Sequence, residues 1–170
     1  MTATSNLIGT FNKSQWAGNY VAAAIDGIEV DLNNSGPDPL SIRIMLLTPG
    51  CTGITFDCTA WTSTNATALV SGSGWVAVSF SVKEADLTRV LGSLSYTDSL
   101  QNIERLLIRH DDGTPSAPGA PGSFVSATLG IDNVLPEPSG SLGLAAGAAL
   151  IAGLWFGSRQ LRDRSPGSPH

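Results

Sequence analysis

Apolar residues recur at every second position in several short stretches of this chain, and turn-forming residues fill the gaps between them. The clearest stretch is residues 75–82, where Val76, Val78, Phe80 and Val82 share one face while Ala77, Ser79 and Ser81 point away. That alternation predicts a half-buried strand. Residues 40–47, LSIRIMLL, alternate at their start, with Leu40, Ile42 and Ile44 on one face. Further strands are expected at 8–11, 20–25, 27–32, 59–61, 66–70, 103–110 and 124–134. Turn signals separate them, among them NNSGP at 33–37, SGSG at 71–74 and DDG at 111–113. Two interruptions are expected. Ser81 followed by Glu84 has capping-box spacing, with Leu87, Val90 and Leu91 then recurring at helical intervals, and a second short turn is expected over 97–103. About eight or nine short strands in about 130 residues predict a mainly β fold: an antiparallel β-sandwich of jelly-roll-like form.

The pattern changes completely near the C-terminus. Residues 140–157, GSLGLAAGAALIAGLWFG, carry no charge at all. Eighteen residues are at the short end of what crosses a hydrocarbon core of roughly 30 Å at about 1.5 Å per residue. Gly143, Gly147, Gly153 and Gly157 would weaken such a helix in water by roughly 1 kcal/mol each, whereas lipid enforces helix on any spanning backbone. Trp155 and Phe156 end the run, and Arg159, Arg162 and Arg164 follow it. Aromatic and basic flanks of this kind predict a single C-terminal transmembrane helix with its basic end in the cytoplasm.

Charge divides the chain at the same place. Residues 1–135 hold six basic and twelve acidic residues, a net of −6 within a total of −5. An acidic chain of pI about 4.7 has no field to draw in nucleic acid. Between the two regions stand Leu135, Pro136, Glu137, Pro138 and Ser139. Proline lacks an N–H and restricts the residue before it to extended geometry, so this segment is expected to leave the strand and form a stiff, exposed stub. The resulting organisation is an exported domain over 1–134, a linker and motif over 135–139, a helix over 140–157 and an Arg-rich tail over 158–170.

A Pro-Glu-Pro stub, a short apolar helix and an Arg-rich end together resemble the PEP-CTERM sorting signal of bacterial exported proteins. The resemblance covers 135–164, with Pro136, Glu137 and Pro138 on the motif and Arg159, Arg162 and Arg164 as the cytoplasmic basic flank. Leu135 stands where Val is common, and six residues trail beyond the arginines. The resemblance implies export, retention in the inner membrane by the helix, processing by an exosortase, and delivery to the cell surface or its exopolysaccharide. Such a route needs a signal peptide. Met1 to Asn6 supply neither a basic nor an apolar leader region, so one is expected upstream of Met1.

Cys51 and Cys58 enclose CTGITFDC, a loop short enough for a hairpin disulfide suited to an oxidising compartment; buried free thiols are the other reading. The sequences GWVAVSFS, DLTRVLG, NIERLLIRHD and LGIDNV also resemble, more loosely, carbohydrate-binding jelly rolls. That likeness implies a structural calcium site at Asp132, with Asp31, Glu29 or Asp26 adding oxygens; otherwise Asp132 simply ends its strand. Trp61 and Trp75 would stack on sugar rings if they share a solvent-facing sheet, and would pack in the core or at an edge if they do not.

Catalytic patterns are sparse. His110-Asp111-Asp112 has no GxSxG partner, adjacent carboxylates face different ways, and no GxGxxG or GxxxxGK motif cradles a phosphate. The expectation is a non-enzymatic exported surface or matrix protein without a required cofactor. The alternative is a carbohydrate-binding module tethered by the same signal.

Overall fold

The computed structural model describes residues 2–5, 8–52, 55–120 and 122–139. The expected helix over 140–157 and the flank of Arg159, Arg162 and Arg164 lie outside them. Among the described residues no helix is long and apolar enough to cross a membrane. The described chain is mainly β and antiparallel. One sheet has four strands, ordered β1 (Thr2–Ser5), β12 (Val125–Pro138), β3 (Ile25–Asn34) and β9 (Trp75–Ser81). The other orders β10 (Leu87–Leu91), β7 (Ala60–Ser63), β4 (Leu40–Leu47), β11 (Arg105–His110) and β2 (Gly9–Asn12), with β8 (Thr67–Leu69) also paired to β4. A two-residue ladder joins β5 (Cys51–Thr52) to β6 (Thr55–Phe56).

Both sheets contribute to one core. Ile28, Val30, Leu32 and Phe80 enter it from the four-stranded sheet, and Ile42, Ile44, Leu46, Leu106 and Ile108 from the other. Burying side chains of this size stabilises by roughly 1.5–3 kcal/mol each, which is what holds alternating strands to a fixed register. β4 shows why its apolar run loses alternation after Ile44. Ile42, Ile44 and Leu46 face the main core, while Met45 and Leu47 fill a second cluster with Cys51, Cys58 and Ala60. A strand buried on both faces has no polar side to display.

Three expectations fail, each for a local reason. Residues 20–24 form a turn rather than a strand, with Ala24 at φ 52 and the Ile25 N–H donating to the Tyr20 carbonyl. The helix expected after Ser81 is only a single 3₁₀ turn at Glu84–Asp86, followed by β10. Ser81 Oγ donates to the Asp86 carboxylate at 2.6 Å, so the hydroxyl serves this short turn. β10 pairs with β7 and its register slips between Arg89 and Leu91, so Val90 is an extra residue. A bulge of this kind breaks the period of two and imitates helical spacing. The short turn expected over 97–103 is present as a one-turn helix, α1 (Tyr96–Leu100), N-capped by Ser95, whose Oγ accepts from the Asp98 N–H.

The third failure concerns the prolines. β12 does not stop at Val134 but runs through Pro136 and Glu137 to Pro138, so the motif is the end of a strand and not a separate stub. A strand tolerates proline where its missing N–H faces an open edge. The Val82 N–H donates to the Asp26 carbonyl, which turns the even-numbered backbone groups of β3 toward β9 and the odd-numbered ones, Gly27 included, toward β12. Glu137 lies directly across from Gly27, its Cβ 3.9 Å from where a Gly27 Cβ would stand. The Glu137 backbone therefore points at β3, and Pro136 and Pro138 present their missing donors to the other edge.

Candidate functional site

The outward face of the four-stranded sheet brings together four of the sequence-derived candidates, Asp31, Trp75, Asp132 and Glu137. Side chains alternate across β3 and β9, so Glu29, Asp31 and Asn33 share this face with Ser79, Ala77 and Trp75, their directly paired neighbours. Trp75 is 58% exposed. Its ring reaches across β3 to β12: a Cβ added at Gly130 would stand 3.0 Å from the ring's Cη2 and 3.3 Å from the Asn33 Cβ. Glycine at 130 is what lets the indole lie close to the sheet with its other side open to solvent.

β12 enters this face through a bulge. From Gly130 to Glu137 the strand advances seven residues while β3, from Asn33 to Gly27, advances six. The extra residue falls at Asp132 and Asn133, where Asn133 adopts φ 48, a left-handed conformation that Asn tolerates better than most residues. Below the bulge Val125, Ala127, Leu129 and Ile131 pack inward; above it Val134 does. Asp132 and Asn133 consequently both face solvent, and Leu135 and Glu137 follow on the outer side.

These contacts bear on the calcium expectation. Asn133 Nδ2 donates to Asp31 Oδ2 at 2.7 Å, and the Asn133 N–H donates to Asp132 Oδ1 at 2.8 Å. Each carboxylate thus spends an oxygen on locking the bulge. Among the described residues no group of three or more His, Cys, Asp or Glu converges to hold a metal ion. Asp132 and Asp31 are brought together, but through an amide between them.

The two tryptophans are not one platform. Trp61 sits on β7, in the other sheet, and only 8% of it is exposed. Its Nε1 donates to Ser99 Oγ at 3.0 Å, Tyr96 meets its ring edge-on at 5.8 Å, and the Arg89 guanidinium lies 5.7 Å from its centroid. A buried indole with its N–H satisfied is a core residue, so Trp61 takes the packing alternative, and of the two only Trp75 is open to solvent.

Cys51 and Cys58 are joined by a disulfide, their Cα atoms 5.1 Å apart. The bond closes the loop that carries β5 and β6 and places both cysteines in the second apolar cluster.

The HDD sequence at 110–112 is used structurally. Asp111 is buried, and Arg109 Nη2 donates to its Oδ2 at 2.7 Å while Ser116 Oγ donates to its Oδ1 at 2.8 Å. Arg43, directly across the ladder from Arg109, donates to the carbonyls of Asp111, Ser63, Thr64 and Gly113. Burial pushes the Arg43 pKa down from its ordinary value, and the Asp111 charge opposes that shift. His110 Nδ1 accepts the Ser41 N–H at 3.0 Å, which commits the imidazole to the end of β11. Asp112 faces outward, and bonds from the Ser123 hydroxyl and N–H hold its carboxyl below the usual carboxylate range. Sequence reading missed the role of Arg43 and Arg109, because a lone charge in a strand reads as a solvent-facing position.

No family model, curated protein or solved structure matches this chain.

Proposed function

We propose that this chain is a non-enzymatic exported surface or matrix protein, sorted by a PEP-CTERM-type signal and processed by an exosortase. The observation that carries this reading is the three-part ending itself. Pro136-Glu137-Pro138 is followed by an uncharged run that includes residues 140–157, and then by Arg159, Arg162 and Arg164. On this reading residues 140–157 form a transmembrane helix that holds the protein in the inner membrane until cleavage delivers it to the surface. The two sheets and their shared core are read as a jelly-roll-like sandwich, the exported cargo. The Cys51–Cys58 disulfide suits that route, since such bonds persist outside the reducing cytosol. The non-enzymatic part is supported by the HDD segment, where His110 Nδ1 accepts the Ser41 N–H and both Asp111 carboxylate oxygens are held by Arg109 and Ser116.

The test is the mass of a tagged full-length protein, with its leader, in a host that carries an exosortase. The parent should lose its C-terminal segment, and Glu137→Ala should keep it. A parent of unchanged mass would rule the reading out.

A second reading, a carbohydrate-binding module tethered by the same signal, is favoured by one observation. Trp75 presents an open indole beside hydrogen-bonding side chains on the same face, Asn33, Asp31 and Asn133. An aromatic ring flanked by polar groups suits the apolar face and hydroxyl rim of a sugar. Pull-down on the host exopolysaccharide should retain the protein and lose at least tenfold with Trp75→Ala, while Trp61→Ala acts through folding. Equal retention of the Trp75 variant would remove this reading.

A further inference from the structure

We infer that pairing between β12 and β3 shields the Pro-Glu-Pro motif, and that an exosortase gains the motif only when the last residues of β12 peel away. The inference rests on the sorting reading above. Enzymes that cut a chain commonly hold it extended, by adding a strand to backbone donors and acceptors. In the folded strand the motif has little to offer such an enzyme. The Glu137 backbone is directed at β3, opposite Gly27, and at the outer edge Pro136 and Pro138 have no N–H. No donor is left along three consecutive residues.

The same strand contains the means of release. β1 flanks β12 only over residues 125–128, and among the described residues no second strand pairs with the remainder. Strand ends held on one side open at far lower cost than the core. The bulge at Asp132 and Asn133 interrupts the ladder, and the Asn133 amide clamped on Asp31 marks where opening would stop. Peeling from Leu135 to Pro138 would free four residues, about 13 Å of extended chain, and leave Val134, Ile131, Leu129 and Ala127 on the core. Gly27 has no side chain to grip Glu137, which keeps this last pairing weak.

A reversible lock tests the inference without altering Pro136, Glu137 or Pro138. Counting two residues back from the Gly27–Glu137 pair sets Glu29 opposite Leu135, and both line one shallow groove on the outer face. A directly hydrogen-bonded antiparallel pair has its Cα atoms about 5.5 Å apart, within disulfide range. Full-length protein carrying Glu29→Cys and Leu135→Cys, in membranes containing an exosortase, should be cleaved at least tenfold more slowly when oxidised. Reduction should return it to the rate of the Leu135→Cys single variant under the same reductant. Equal cleavage of the oxidised form, or slow cleavage that persists after reduction, would overturn the inference while leaving sorting intact. A parent chain that is never shortened would instead overturn the sorting reading, and this inference with it.

Discussion

Asp111 is the residue on which the polar side of the six-stranded sheet depends. It is buried with Arg109 against it and Ser116 folded back onto it, and the Arg43 Nε lies 3.9 Å from its Oδ2. Charges are costly to bury, and they persist here because nearly every donor finds a carbonyl or carboxylate oxygen. Removing one partner is therefore worse than never having had the pair. Arg109→Met should cost about 3–5 kcal/mol in urea unfolding, because it strands the Asp111 carboxylate. A loss below about 1 kcal/mol, the value of an exposed pair, would show that solvent reaches this network. None of this was legible in LSIRIMLL or RLLIRH, where Arg43 and Arg109 occupy alternating polar positions. Only the β4–β11 register sets the two arginines side by side, and only the folding of the 111–117 loop over them excludes water.

Single extra residues decide most at the scale of strands. Val90 in β10 made a strand resemble a helix, and the bulge in β12 carried the alternation of Val125, Ala127, Leu129 and Ile131 over to Val134. That second shift is visible in the sequence, because apolar spacing changes from two to three at Asp132 and Asn133. What spacing could not supply is the partner. Proline was expected to end β12, yet two prolines at i and i+2 withhold donors from one edge alone, and β3 occupies the other. The disulfide loop is a second element with a measurable consequence. Cys51→Ser should lower stability by about 2–3 kcal/mol, the chain-entropy value for a loop of this size, plus what the second apolar cluster loses in packing. An unchanged thermal midpoint, with the parent fully oxidised, would show that the loop is held by other contacts.

Across the whole molecule the acidic domain and the basic ending answer to different constraints. Residues 1–135 carry net −6 and fold around a core shared by two antiparallel sheets, whereas the basic residues after Arg109 all lie between 159 and 164. By itself the sequence determined that the chain is mainly β, where most of its strands lie, and the order of motif, uncharged run and arginines. Those properties follow from local composition and from periods of two, which the chain carries without reference to what it meets. Tertiary structure alone decided that Trp75 is open and Trp61 buried, that Asp31 and Asp132 close a bulge through Asn133, that two arginines share one buried aspartate, and that Pro-Glu-Pro ends a paired strand. Each of these depends on which strand lies beside which and in what register. Residues as distant as Gly27 and Glu137 become neighbours only when the sheet forms.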